Sequence, residues 1–241
     1  KLTEVFGGNV MEVIIGGAPL NAEVEKFLYR IGFPVTVGYG MTECGPLLTY
    51  APPKESRPHT VGRIVDRMEV KIDSPDPANI PGNIWVKGDN VMKGYYKNPE
   101  ATAEVLPSDN GWMNTGDMGT ISPDGLISIS GRSKTMILGP SGQNIYPEEI
   151  EQKINGMPFV AESLVIDDNG KLVALVFPDF DAANAKGLSK EAIEKTMADN
   201  ISAVNRNLEA FSRLNSVRIV EKEFEKTPKR SIKRFLYQPK H

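Results

Sequence analysis

The chain has 241 residues, 40% of them hydrophobic, with 28 Lys plus Arg against 31 Asp plus Glu for a formal net charge of -3. Such a chain buries a core and forms one large or two modest domains, while its near-balanced charge excludes a whole-chain field that would gather nucleic acid. The single cysteine, Cys44, rules out an internal disulfide or a thiolate metal cage. No apolar run approaches the roughly 20 residues of a membrane span, and no signal peptide opens the chain, so the reading is cytoplasmic.

From the N-terminus, residues 10–15 (VMEVII) predict a buried strand, residues 21–31 a helix after the turn GGAPL, and residues 33–39 (FPVTVGY) a second strand. This is a βαβ fragment. Two parallel strands cannot cover both faces of their own sheet. The pattern therefore predicts that a partner chain completes the sheet or that the chain is the back half of something larger, and the abrupt start at Lys1 favours the second. Residues 61–130 change texture: short strands MEVKI, NIWVKG, MGTIS and LISIS are divided by turn-rich stretches such as PDPANIPGN and SPDG, predicting a β-rich lobe. After Gly131-Arg132 the pattern becomes α+β. It holds a hairpin about LGPSGQN, a helix from Pro147 to Asn155, a hairpin ESLVIDDNGKLVALVF turning at Asp-Asn-Gly, a helix from about Ser189 to Leu208 and the strand SVRIV. The expected fold class is α/β plus a β-rich lobe plus an α+β C-terminal domain. The βαβ fragment takes residues 1–50, the lobe 51–131 and the last domain 132–241.

Two loops follow the predicted parallel strands, GGAPL (Gly16–Leu20) and YGMTE (Tyr39–Glu43). In an open α/β sheet ligands sit at the carboxyl ends of the strands, so both loops are expected on one crevice. A glycine pair followed by Ala18 and Pro19 at a helix start offers amides to a purine edge or an anion; a plain strand-to-helix turn is the alternative. NTGD ends on Asp117, a carboxylate able to accept from two ribose hydroxyls or a simple turn acid. Arg132 carries a fork suited to ribose or phosphate oxygens.

GGAPL, GYGMTE, GNIWVKGDNVMKGYYKNPEAT, GWMNTGD, GRSKTMILGPSGQNIYPEEIE and KTPKRSIKRFLY stand in this order over nearly the whole chain. So arranged, the sequence resembles the adenylate-forming superfamily of acyl-CoA synthetases, peptide-synthetase adenylation domains and luciferases. GYGMTECGPLLT and MKGYYKNPEAT look most like long-chain fatty acyl-CoA ligases. The resemblance implies that residues 1–131 are the C-terminal part of a large AMP-binding domain and 132–241 a small mobile domain. It implies an acid-thiol ligase: a carboxylate attacks the α-phosphorus of ATP to give acyl-AMP and pyrophosphate, and the thiol of coenzyme A then takes the acyl group. ATP or AMP, Mg2+ and coenzyme A are the implied cofactors. A fatty acid or other carboxylic acid is the implied substrate, which would bring the protein to a membrane surface at most peripherally.

By the same resemblance Tyr39 is similar to the ring that stacks on adenine, and Gly17, Ala18 and Pro19 to the strip lining it. Gly40 and Met41 lie in the same loop, where a nucleotide would pass over Gly38 and Gly40. Thr42 resembles the hydroxyl at the phosphate, Glu43 the magnesium carboxylate, and Asp117 and Arg132 the ribose pair. Lys134 matches a hinge. Gly142, within residues 139–144, would border the pantetheine channel, with a plain surface hairpin as the alternative.

Two departures matter. Nothing before Gly16 resembles the family's Gly-rich phosphate loop ending in Pro-Lys, so the expected fold is that of an adenylate-forming enzyme lacking its N-terminal part, and the chain alone should adenylate poorly or not at all. At the family's catalytic lysine stands Ser231, with Arg230 in place of a glycine. In an extended segment Lys229, Ser231 and Lys233 share a face, which makes Lys233, then Lys229, the expected substitute; a solvated basic tail is the alternative. The rival readings are an aryl-acid or peptide-synthetase adenylation domain, and a non-catalytic truncated module that docks a nucleotide, coenzyme A or a carrier protein. His59 and His241 give no ground for metal or base chemistry.

Overall fold

The computed structural model describes residues 2–108, 110–227 and 230–239, which divide into two units, Lys1–Lys134 and Thr135–His241. The first unit opens with a short helix α1 (Leu2–Val5), then strand β1 (Val13–Ile15), helix α2 (Ala22–Arg30) and strand β2 (Val35–Val37). The two strands pair in parallel, Val13 opposite Val35 and Ile15 opposite Val37, as the βαβ pattern predicts. Asn21 starts α2 because its Oδ1 accepts the Glu23 and Val24 N–H groups at 3.0 and 3.1 Å, satisfying two of the donors a helix N-terminus leaves open. Met11 and Ile14 are 91% and 58% exposed; they belong to the surface that a lone parallel pair leaves uncovered. Glu25 of α2 is buried, and its Oε2 accepts the His59 backbone N–H at 3.1 Å and lies 3.5 Å from His59 Nδ1.

Strands β3 (Tyr39–Gly40), β4 (Leu47–Tyr50) and β5 (Arg63–Ile64) form a small antiparallel sheet. A meander follows in chain order, β6 (Met68–Asp73), β7 (Gly82–Gly88), β8 (Met113–Ile121) and β9 (Ile127–Arg132), with helix α3 (Pro99–Val105) between β7 and β8. Alternation sorts the meander's two faces. Met68, Ile72, Ile84, Val86, Met113 and Ile127 join Cys44 and Leu48 in one core. On the other face Lys71 Nζ sits 5.4 Å from the Trp85 ring centroid and 4.5 Å from that of Trp112, a cation held over two aromatic faces. Strand β8 begins at Met113, so NTGD is part of a strand and not a free turn. Its first half is masked in the sequence by polar residues and by Gly116, whose φ of +75° falls where the β7–β8 register slips, a bulge that glycine accommodates.

The second unit contains β10 (Ile137–Leu138), β11 (Asn144–Ile145), α4 (Pro147–Asn155), β12 (Val160–Asp168), β13 (Lys171–Pro178), α5 (Phe180–Ala185), α6 (Lys190–Asn205) and β14 (Ser216–Ile219). The β12–β13 hairpin turns at Asn169 and Gly170, φ +56° and +77°, the pair of positive φ angles that a tight hairpin turn requires. Strand β14 then pairs in parallel with β13. The run LVALVF is apolar throughout because β13 is covered twice. Leu172, Ala174 and Val176 pack with Ile150 and Ile154 of α4 and Met197, Ile201 and Val204 of α6, while Val173 and Leu175 pack with Phe224 on the other face.

Arg234 pins the C-terminal segment to α4. Its guanidinium bonds Glu151 Oε2 and lies 3.4 Å from Glu148 Oε1, and Glu151 Oε1 accepts the Val165 N–H at 2.7 Å. No helix among the described residues is long and apolar enough to cross a membrane.

Two expectations follow from these buried charges. The Glu151 side chain is 10% exposed, so Arg234→Ala leaves a buried carboxylate without its counter-charge; the loss is about 3–5 kcal/mol, read as a lower urea midpoint for the second unit. Burial pushes the Glu25 carboxyl above its ordinary 4.5, against the opposing His59 contacts. The folded state therefore binds a proton that the unfolded chain releases, and stability from this group falls as pH rises above about 4.5. Glu25→Gln removes that dependence, so the melting temperature of the variant relative to the parent rises between pH 4.5 and 7.

Candidate active site

The site is built from the two loops that leave the carboxyl ends of β1 and β2. They are side by side, since the Gly38 N–H donates to the Ile15 carbonyl at 2.9 Å and a Cβ at Gly16 would stand 3.4 Å from the Gly38 carbonyl oxygen. Gly17 holds φ +85°, a conformation that costs glycine little, and carries the exposed Ala18 and Pro19 into the Asn21 cap. After Gly38 the chain forms β3, a single 3-10 turn at Thr42–Cys44 and then β4. The Met41 N–H donates to the Pro46 carbonyl at 2.7 Å, closing this loop on itself. A Cβ at Gly40 would lie 2.0 Å from the Pro46 carbonyl oxygen. The close approach that requires glycine at position 40 is thus the chain's own return.

Tyr39, Asp117 and Arg132 are brought together. The Tyr39 Oη donates to Asp117 Oδ2 at 2.6 Å, and Arg132 Nε lies 3.3 Å from Asp117 Oδ1. Asp117 on β8 and Arg132 on β9 are direct partners across the antiparallel ladder, which is why two residues from separate motifs face each other. The Asp117 side chain is 8% exposed and that of Arg132 70%, so the arginine reaches the carboxylate from the solvent side. Thr115 supports the arrangement: its Oγ1 accepts the Asp117 N–H at 3.1 Å and donates to the Ile84 carbonyl at 2.9 Å. Burial and the neighbouring Asp117 charge push the Tyr39 phenol far above its ordinary range, so it stays a proton donor at neutral pH. Its ring is partly buried against the core that contains Cys44 and Leu48.

Glu43 sits in the 3-10 turn, with Oε1 accepting from the Tyr95 hydroxyl at 2.9 Å and its backbone carbonyl accepting the Met92 N–H at 2.8 Å. Thr42 beside it is exposed. No group of three or more His, Cys, Asp or Glu among the described residues is placed to hold a metal ion. A lone carboxylate such as Glu43 fits a magnesium ion that takes its remaining oxygens from phosphates and water, the usual arrangement for that cation. Tyr95 and Thr115 carried no expectation in the sequence; Tyr95 lies in a quoted motif, but nothing local says which loop its hydroxyl reaches.

In the second unit, Gly142 has φ +83° in the loop between β10 and β11, where the Gly139 N–H donates to the Gln143 carbonyl at 2.8 Å. The basic segment is not the extended run expected from its sequence. It turns back on itself: Lys226 bridges Ile232, the Thr227 N–H donates to the Ser231 carbonyl at 2.9 Å and the Arg230 N–H to the Thr227 carbonyl at 2.8 Å. Arg230 adopts φ +62°, a left-handed conformation that favours glycine, which accounts for the glycine that the family resemblance places there. Lys233 Nζ is 3.2 Å from Glu225 Oε2. Lys229 and His241 lie outside the described residues.

Residues 3–96 match the model of the AMP-binding enzyme family and residues 134–238 that of the AMP-binding enzyme C-terminal domain. The chain is 34% identical over 229 residues to the probable chloroplastic acyl-activating enzyme 16 of Arabidopsis thaliana, covering 88% of this chain and 30% of that protein. It is 36% identical over 184 residues to a long-chain-fatty-acid–CoA ligase of Yersinia pestis, covering 74% and 32%. The crystal structure of ATP-bound MatB from Rhodopseudomonas palustris superposes with a TM-score of 0.74 at 29% identity, over 98% of this chain and 46% of that one. The chain thus spans about a third of the length of these curated relatives and about half of the solved neighbour. With both family models matched in the order of its two units, the chain belongs to the adenylate-forming family of AMP-binding enzymes.

Proposed function

We propose that the first unit holds the adenosine 5′-phosphate portion of ATP and of an acyl-adenylate, and that the protein is an ATP-dependent acid-thiol ligase acting on a long-chain fatty acid. The observation that carries the reading is the Tyr39–Asp117–Arg132 cluster beside two loops at the ends of parallel strands. The exposed side of the Tyr39 ring stacks on adenine, Gly17, Ala18 and Pro19 line its edge, and Gly40 and Met41 set the loop beneath it. Asp117 accepts from the ribose hydroxyls while Arg132 keeps the carboxylate oriented. Thr42 donates its hydroxyl to a phosphate oxygen, and Glu43 is the carboxylate assigned to magnesium, which when bound neutralises charge on the phosphates.

In the first half-reaction the carboxylate oxygen of the acid bonds to the α-phosphorus as the bond to pyrophosphate breaks. In the second, the thiol sulfur of coenzyme A bonds the acyl carbon, AMP leaves and the thiol proton goes to solvent. Both steps build charge on oxygen, so oriented donors and cations do most of the stabilising. Lys233 is the cation assigned to the first step, and Gly142 belongs to the segment assigned to pantetheine. The fatty-acid assignment is supported by the Yersinia pestis relative. Ser231 at the family's lysine position favours one second reading, a nucleotide-binding module without adenylation.

Calorimetry with AMP tests the nucleotide reading: Tyr39→Ala weakens binding roughly tenfold or more, and Asp117→Asn narrows the preference for AMP over 2′,3′-dideoxy-AMP by roughly tenfold. Unchanged affinities in both variants would rule the site out. Palmitate-dependent pyrophosphate release, assayed on the full product of the gene, separates the ligase from the binding module. There Lys233→Ala lowers acyl-AMP formation while thioester formation from supplied acyl-AMP persists, and equal loss in both half-reactions contradicts the role given to Lys233.

A further inference from the structure

The segment between β7 and α3 grips the Thr42–Cys44 turn at Glu43 and the start of β4 at Leu47. The Met92 N–H holds the Glu43 carbonyl at 2.8 Å, Asn90 Nδ2 donates to the Leu47 carbonyl at 3.0 Å, and the Tyr95 hydroxyl donates to Glu43 Oε1 at 2.9 Å. Tyr95 is itself anchored. Its N–H donates to Thr102 Oγ1 at 2.9 Å, and that hydroxyl donates to the Asn98 carbonyl at 2.8 Å, while Asn98 Oδ1 caps α3 through the Ala101 N–H at 3.0 Å. The fit next to it is tight enough to exclude any side chain. Gly94 has φ +141°, and a Cβ there would stand 2.8 Å from Thr102 Cγ2. The backbone of Tyr95 is thereby fixed at a helix start, and its O–H is directed onto Glu43.

We propose that Tyr95 is a positioning residue for the Glu43 carboxylate: anchored through Thr102, it engages Oε1 and sets the carboxylate's orientation so that Oε2 is the oxygen offered to a nucleotide-borne divalent cation. The inference rests on the cation role proposed above for Glu43. Groups that hydrogen-bond a metal-binding side chain fix its orientation, and their loss typically costs about 10–100-fold in metal affinity. Tyr95→Phe removes a single oxygen from a residue 38% exposed, a change that the fold tolerates.

The test measures ATP binding to the chain by calorimetry in Mg2+ and in EDTA, with melting temperature as a check on folding. In the parent chain ATP binds more tightly in Mg2+. Glu43→Gln abolishes that ratio, and Tyr95→Phe brings it most of the way to the Glu43→Gln value, leaving ATP affinity in EDTA, AMP affinity and melting temperature unchanged. Manganese affinity of the ATP complex, read by electron paramagnetic resonance, falls about tenfold in Tyr95→Phe, and the double variant matches Glu43→Gln alone because the two residues act through one contact. A parent-like ratio in Tyr95→Phe, or an equal fall in ATP affinity with and without the metal, overturns the positioning role. A parent chain with no Mg2+ dependence overturns the cation role of Glu43 and this inference with it, while AMP binding reports separately on the nucleotide site.

Discussion

A buried carboxylate has to be satisfied, and at the candidate site of the first unit that carboxylate is Asp117. Leaving it without partners would cost several kcal/mol, so the phenol of Tyr39 and the guanidinium of Arg132 are drawn onto its two oxygens. This single requirement joins the loop after β2 to the meander, because Tyr39 comes from one and Asp117 from the other. The aromatic ring and the acid that the family resemblance assigns to a base and a sugar are thereby held at a fixed separation before any ligand arrives, the kind of preorganisation that spares binding an ordering cost.

Around that contact the backbone is tightly fitted. Gly40 meets the Pro46 carbonyl and Gly94 meets Thr102 at distances no Cβ allows, so the loop carrying Thr42 and Glu43 is closed on one side by its own return strand and braced on the other by the segment leading into α3. Loops that carry chemistry are often mobile; this one is tied at the Met41 N–H, at the Glu43 carbonyl and at the Glu43 side chain. These backbone hydrogen bonds and one phenol act together with Cys44, which is buried in the meander's core, to hold the turn.

The second unit is organised by a different principle. Strand β13 is apolar on both faces and separates two cores, with α4 and α6 over one and Phe224 over the other. One polar exception is the Arg234 contact with Glu148 and Glu151 on α4, which ties the segment following Lys233 to the body of the unit. Glu148 also accepts from the Thr135 hydroxyl at 2.6 Å, so one helix start anchors both the first residue of the unit and its basic segment.

Local signals in the sequence determined much of the architecture. The bounds of α4 follow from Pro147 at a helix start and the apolar spacing behind it, the β12–β13 hairpin from its Asn-Gly turn, and the β1–α2–β2 unit from apolar runs interrupted by glycines, because each depends on residues close together in the chain. The order of motifs likewise identified the family and the candidate residues. What tertiary structure alone decided are contacts across long separations: Tyr39 with Asp117, 78 residues apart, and Tyr95 with Glu43, 52 apart. It also decided that NTGD is a bulged strand, that Gly40 yields to Pro46, and that the segment carrying Ser231 turns back at a left-handed Arg230. Propensity and periodicity report on neighbours along the chain, whereas these features are set by which strands pair and which backbone atoms then collide.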